Sequence, residues 1–380
     1  MKEITYDELK GLSENSYSLI DIRDEGVLAY GMIPGAVHVG IDELEESGAI
    51  SEIPKEKKLI FYCEIGRRSR ELDDTLGDLE ERDCYSLAEG YVGYVRASMR
   101  NQANKEAIRT KAEESIQKKF HKQLFSPFAK ACKMYQLIED GDHIAVCISG
   151  GKDSMLMAKL FQEIKRHRQK DFDLTFLVMD PGYNQENRAL IESNAKALGI
   201  PIMIFESTIF DAVDTIEKSP CYLCARMRRG YLYAKAKEFG CNKIALGHHY
   251  DDVIETILMG MLHGAQIQNM MPKLHSTNFE GMELIRPLYL VRESDIYAWR
   301  DYNELHFLQC ACHFTDTCTT CHEDGTTSSK RLETKKLIAE LKKTNPFVES
   351  NIFRSMENVN LDTVIEYKKD GVRHHFLDEY

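Results

Sequence analysis

The chain has 380 residues, 43% hydrophobic and 29% charged, the balance of a water-soluble globular protein with room for two or three domains. No run approaches the roughly 18 consecutive apolar residues of a membrane span, and the polar opening MKEITYDELK carries no apolar signal core, so a cytoplasmic protein with no membrane partner is expected. The net charge of −12 would speak against a nucleic-acid partner if it were evenly spread, but residues 1–96 hold 11 basic and 22 acidic residues while 97–135 hold 9 basic and 3 acidic ones, and local fields decide encounter.

In chain order, short apolar runs at 17–22 (YSLIDI) and 58–63 (KLIFYC) read as buried strands, each followed by a loop and a helical stretch. That is an α/β pattern. Residues 97–122 are polar, charged and free of Gly and Pro, which predicts a helical connector. Its basic face is either a solvated helix surface or an RNA-contacting one. Strand candidates recur at 143–148, 174–179, 202–205 and 243–246 with helical stretches between them, so a second, parallel sheet with crossover helices is expected. A Cys-rich loop at 301–330, a charged helix at 331–345 and an irregular tail complete the reading. The expected domains are 1–96, a basic helical connector 97–135, and 136–380 with its Cys-rich segment 310–321.

The first domain carries Asp21-Ile22-Arg23, then Gly31-Met32-Ile33-Pro34-Gly35-Ala36, then Cys63-Glu64-Ile65-Gly66-Arg67-Arg68-Ser69. A cysteine at a strand end, wrapped by loop N–H groups near Arg67 and Arg68, is expected to have a lowered pKa and to stabilise a persulfide anion in the same way. These segments resemble the single-domain rhodaneses, whose C-x-x-G-x-R loop carries a persulfide. Met32 stands where that family usually has His, and Gly90-Tyr91 departs from its double glycine. The resemblance implies roles for Cys63 and Arg68 in sulfur transfer. A degenerate, purely structural rhodanese domain is the competing reading. Cys84 reads as a small buried residue rather than a resolving thiol.

In the second domain a strand runs into Ser149-Gly150-Gly151-Lys152-Asp153-Ser154 and a helix follows. Glycines bring backbone N–H groups close to an anion, the helix start adds donors and a favourable dipole, and Lys152 supplies positive charge. The spacing is not GxxxxGK[ST], so γ-phosphate transfer is not implied. SGGKDS resembles the loop of the PP-loop ATP pyrophosphatases, which split ATP to AMP and pyrophosphate there. Downstream, Gly247-His248-His249-Tyr250-Asp251-Asp252 precedes Glu255-Thr256, similar to the GHHxDDxxET element of PP-loop enzymes that act on tRNA. Asp251, Asp252 or Glu255 would suit Mg²⁺ beside ATP, since hard cations want carboxylate oxygens; Asp252 is the first candidate. His248 and His249 read equally as hydrogen-bonded interior residues. Gly247, His248 and Asp180, the last residue of VMD, are further nucleotide candidates.

Eleven cysteines in a cytosolic chain suggest metal ligands or reactive thiols. Cys221 and Cys224 form a CxxC between the phosphate loop and the GHH element, followed by Arg226, Arg228 and Arg229. In that order the motifs resemble the two-thiocytidine tRNA sulfurtransferases over roughly residues 125–360, including the later segment 328–359. Members of that family hold a [4Fe–4S] cluster on three cysteines, with an open iron site for the sulfide to be transferred. The third ligand here would be Cys312, with Cys310 as the alternative. Cys318 and Cys321 form a second CxxC, which with Cys310 and Cys312 makes a four-cysteine zinc reading that residue type alone leaves open.

The expected fold is α/β: a rhodanese-like domain plus a PP-loop, adenine nucleotide alpha hydrolase-like parallel-sheet domain. The expected activity is ATP-dependent tRNA thiolation, forming AMP and pyrophosphate, on cytidine of the anticodon loop. A persulfide donor such as a cysteine desulfurase or thiosulfate would load Cys63, and ATP, Mg²⁺ and the cluster would serve as cofactors. A homodimer is common in the family. Thiolation of uridine or of a small molecule, a sulfur or redox sensor with an inactive loop, and a zinc-containing PP-loop protein are the alternatives.

Overall fold

The computed structural model describes residues 1–28, 31–41, 43–44, 53–72, 82–99, 105–207, 220–308 and 330–378. Chain contacts divide it into two units, one comprising Met1–His249 with Pro272–Thr319 and the other Tyr250–Met271 with Thr320–Tyr380.

The first unit holds two sheets. Strands β1 (Lys2–Ile4), β2 (Tyr17–Asp21), β3 (Val37–His38), β4 (Lys58–Tyr62) and β5 (Cys84–Leu87) form a parallel sheet in the order β1-β5-β4-β2-β3. Strand β4 lies in its middle, and Leu59, Ile60, Phe61 and Tyr62 are all fully buried, which is why its sequence is continuously apolar rather than alternating.

The second sheet is built from β6 (Asp142–Ile148), β7 (Phe172–Asp180), β8 (Ile202–Glu206), β9 (Lys243–Ala245), β10 (Lys273–His275) and β11 (Glu283–Ile285), in the order β10-β11-β9-β6-β7-β8. The helices Lys152–Arg166 and Gln185–Leu198 cross between its parallel neighbours β6, β7 and β8. Asn184 caps the second of these by accepting from the N–H of Asn187, and Gly199 ends it at φ 65°. The chain then returns to the other side of β6 to form β9. Strand order therefore reverses between β6 and β9, and ligands of open α/β sheets bind at the carboxyl ends of strands at such a switch point. The four strands expected here form within about two residues of their expected ends. The sheet is not wholly parallel, because β10 adds an antiparallel edge.

The basic connector is helical at Lys105–Gln117 and Ser126–Met134, with a π-helical turn at His121–Phe125. Glu113 ties the first of these helices to the helix Lys152–Arg166, accepting from Lys159 Nζ and Arg166 Nη2, both at 2.7 Å, and it also accepts from Arg109 Nε of its own helix at 3.0 Å.

In the second unit, the helix Tyr250–Gly264 is accompanied by Lys330–Thr344 and Val348–Ser355. The ring of Tyr250 stacks on Phe353 at 4.5 Å. The tail expected to be irregular is ordered: beyond Val348–Ser355, strands β12 (Glu366–Lys369) and β13 (Val372–His375) form a hairpin. Asp370 and Gly371, with φ of 53° and 82°, supply the two left-handed residues of a tight two-residue turn, the Asp-Gly signal for such a hairpin.

Candidate active site

Two loops of the first unit hold residues singled out in the sequence. In the first sheet, Cys63 follows β4 directly and is buried. Its carbonyl accepts from the N–H of Tyr91 at 2.9 Å, and that of Glu64 from Val92 at 3.0 Å. The hydroxyl of Ser69 lies 3.7 Å from the Cys63 sulfur. Of the two arginines of this loop, Arg67 reaches Glu71 at 3.4 Å and the half-exposed Arg68 reaches Asp24 at 3.7 Å. The cation built into the domain is Arg23, whose importance the sequence reading missed although the Asp-Ile-Arg segment signals it. Its Nη2 donates to Asp21 Oδ2 at 2.6 Å and to the Gly31 carbonyl at 2.7 Å, its Nη1 to Glu64 at 3.3 Å, and its guanidinium lies 3.9 Å from the Tyr91 ring centre. Burial works against its charge, but the hydrogen bonds and charge of Asp21 overcome that and raise its pKa.

In the second sheet, β6 delivers residues 149–154 to the switch point. Gly150 adopts φ +86°, and a Cβ there would come within 2.6 Å of Ile191, so the tight turn demands glycine. The N–H of Gly151 donates to Ser149 Oγ at 3.4 Å, and Ser154 Oγ donates to the Gly151 carbonyl at 3.0 Å, bracing the loop from both sides. The GHH segment closes on it: a Cβ on Gly247 would lie 3.2 Å from the N of Ser154.

Lys152 is buried at the first residue of its helix. Its Nζ donates to Asp153 Oδ2 and Glu293 Oε1, both at 3.2 Å, and lies 4.6 Å from the Tyr297 ring centre. The buried His249 sits 3.9 Å from both carboxylates, and Tyr297 donates to Glu293 at 3.1 Å. Glu293 and Tyr297 lie on the helix Glu293–Tyr302, more than a hundred residues further on, and no local pattern pointed to them. A glycine turn, N–H groups at a helix start and one buried ammonium suit a polyphosphate. His248 is half-buried beside His249.

Asp180 is buried at the end of β7 and braces its own loop, accepting at Oδ1 from the N–H groups of Gly182 (2.9 Å) and Tyr183 (2.7 Å) and at Oδ2 from Arg188 (3.2 Å). In the second unit, Arg331 donates to both Asp252 and Glu255, the latter at 3.3 Å, so the carboxylate expected to hold Mg²⁺ is engaged by a guanidinium. Among the described residues no group of three or more His, Cys, Asp or Glu is arranged to hold a metal.

Positions 221 and 224 lie in the first turns of the helix Pro220–Glu238; the side chains of Cys221 and Cys224, and all of Cys310, Cys312, Cys318 and Cys321, fall outside the described residues. Cys132, Cys147 and Cys241 are buried, and burial pushes their thiols up, that of Cys147 to about 12. They are inert packing residues. Among the described residues no helix is long and apolar enough to cross a membrane.

The family model described as a PP-loop domain matches residues 113–313, and a rhodanese-like domain matches 5–97. The fold and the loops thus define a PP-loop protein joined to a rhodanese-like domain. A tRNA-cytidine(32) 2-sulfurtransferase of Geobacter metallireducens is 32% identical over 249 residues, covering 65% of this chain and 93% of the relative. One from Aliivibrio fischeri is 39% identical over 207 residues, covering 53% and 66%. Among solved structures, the U34-tRNA thiolase NcsA from Methanococcus maripaludis with its [4Fe-4S] cluster is 22% identical, covers 61% of this chain and 76% of its own, and gives a TM-score of 0.48. The chain belongs to the tRNA-cytidine 2-sulfurtransferase family of PP-loop proteins, with a rhodanese-like domain preceding the family region.

Proposed function

We propose that this protein thiolates a cytidine of tRNA at C2, spending ATP to activate the base and drawing sulfur from a persulfide on Cys63. The observation that carries this reading is the buried Lys152 at the switch point, at the helix start that follows the glycine turn after β6. ATP would lay its phosphates there. The base oxygen would attack the α-phosphorus, pyrophosphate would leave with its charge offset by Lys152, and the adenylated oxygen would depart as AMP when sulfur takes its place. Mg²⁺ is proposed to accompany ATP.

A [4Fe–4S] cluster would be held by Cys221, Cys224 and Cys312, or Cys310 in its place, and would supply an open iron site for sulfur; a thiolate donor set of this kind suits iron–sulfur chemistry. Cys63 would be loaded by thiosulfate or a cysteine desulfurase, giving the domain rhodanese activity. The tRNA would meet the basic 97–135 segment and present an unstacked base. Mass spectrometry of tRNA nucleosides from a deletion strain, complemented with wild type, Lys152→Ala or Cys63→Ala, tests the reading. Loss of 2-thiocytidine on deletion, restored by wild type alone, is expected. An unchanged thionucleoside profile on deletion overturns it.

A further inference from the structure

The Cys63 loop and the phosphate loop are joined by one short strap, residues 303–308, that follows the helix Glu293–Tyr302. At one end the Tyr91 N–H holds the Cys63 carbonyl at 2.9 Å, and the Tyr91 hydroxyl pairs with His306 Nδ1 at 3.1 Å. The His306 ring also meets Tyr91 and Tyr94 edge-on, with ring centres 6.2 and 5.8 Å away. At the other end, two residues on, the Leu308 N–H donates to the Gly150 carbonyl at 3.3 Å. The strap is not a loose connection. Leu305, Phe307 and Leu308 are buried, the His306 carbonyl accepts from Asn194 at 3.0 Å, and Phe307 stacks on Trp299. Burial first, then the charge of Arg300, lowers the pKa of His306.

Nothing about a sulfur-carrier domain by itself calls for these contacts. A domain that handed sulfur to any acceptor in solution would gain nothing from having its cysteine loop bonded through Tyr91 and the strap to the nucleotide loop of the same chain. Contiguous packed and hydrogen-bonded elements are how two sites are held in register. We propose that the rhodanese-like domain delivers sulfur within its own chain, and that His306 is the positioning residue that holds the Cys63 loop in register with the phosphate loop for that delivery. This rests on the reading that Cys63 carries a persulfide. The transfer itself is a thiol exchange: a thiolate of the same chain attacks the outer sulfur of Cys63–S–SH, a new S–S bond forms as the old one breaks, and Cys63 leaves as thiolate. The acceptor becomes a persulfide, the oxidation level of the moving sulfur is unchanged, and no reductant enters at this step.

The test uses the full-length chain. Cys63 is loaded from thiosulfate labelled with ³⁵S in the outer sulfur, unreacted thiosulfate is removed, and label is followed by alkylation and peptide mapping while an excess of affinity-tagged Cys63→Ala chain is present. Label is expected to move from the Cys63 peptide to another cysteine peptide of the untagged chain and to stay off the tagged one. His306→Ala is expected to slow that movement about tenfold, the scale of one lost hydrogen bond, while loading of Cys63 proceeds at the wild-type rate. His306→Asn, which restores a polar atom near Nδ1, is expected to recover most of the rate, and Tyr91→Phe combined with His306→Ala to add little to either alone. Label distributed over tagged and untagged chains by their abundance overturns delivery in cis. Wild-type movement in His306→Ala, or a loading rate that falls together with it, overturns the positioning role. Label that moves within the chain without any 2-thiocytidine forming on added tRNA and ATP would instead sink the proposed function and leave this inference standing.

Discussion

Lys152 Nζ lies 3.2 Å from Glu293 Oε1, a contact that spans 141 residues of sequence. The ammonium that should meet a polyphosphate therefore rests against a carboxylate, with Asp153 as a second partner at the same distance. An arriving anion competes with both. Glu293→Gln removes one competitor and keeps the shape, so inorganic pyrophosphate is expected to bind about three- to tenfold more tightly, roughly 0.7–1.4 kcal/mol. Lys152→Ala should abolish measurable binding. Isothermal titration calorimetry reads both, and weaker pyrophosphate binding by Glu293→Gln would contradict this account.

Gly150 makes a second prediction, because two separable costs fall on one residue. Its φ of +86° is strained for any L side chain, at about 1–2 kcal/mol, and its missing Cβ would strike Ile191 at 2.6 Å. Gly150→Ala should lower the melting temperature and weaken ATP binding. Adding Ile191→Ala relieves the collision but leaves the backbone strained, so the double variant should recover only part of the ATP affinity. Full recovery would show that the backbone conformation is immaterial.

The Asp21–Arg23 pair offers a stability test remote from the nucleotide. Both side chains are almost fully buried, and the Tyr62 hydroxyl adds a bond to Asp21 at 2.8 Å. Removing one member leaves the other charge uncompensated, which costs about 3–5 kcal/mol. Arg23→Met is expected to lower by about that amount the unfolding free energy, read from urea titration, of the step that loses the 1–96 region. A shift below about 1 kcal/mol would mean the pair is solvated in practice.

Glu113 sets a pH dependence. Burial alone would raise its pKa, but Lys159, Arg166 and Arg109 overcome that and hold the carboxyl down at about 2. A carboxyl depressed on folding stabilises the fold fully above its unfolded value, near about 4.3, and loses that contribution as pH falls toward the folded value. The stability difference between wild type and Glu113→Gln should be constant above about pH 5 and shrink steadily toward about pH 2. A difference that is flat from pH 6 to 3 would remove the ion pairs from the account.

Much of the site was legible in residues that are neighbours in sequence. A strand, a glycine turn and a helix start leave a local signature, so residues 149–154 and the position of Cys63 after β4 agree with the reading of the chain. The hairpin at Asp370-Gly371 carried an equally local signal that the expectation of an irregular tail passed over. Arg68 is the opposite case. Its sequence position beside Cys63 gave no sign of its partner Asp24, nor that Arg23, far earlier in the chain, is buried against Asp21.

The sequence by itself determined which reactive residue types are present and in what order, a cysteine in a rhodanese-like loop, a PP-loop glycine turn and paired cysteines, because residue type and near-neighbour spacing specify those without a fold. Only the tertiary structure decided what each group touches. Glu293 came to Lys152, Arg331 to Asp252 and His306 to Tyr91 across 141, 79 and 215 residues. Contacts at such separations are set by how sheets and helices pack, and packing leaves no periodic trace in the stretch of sequence where each partner sits.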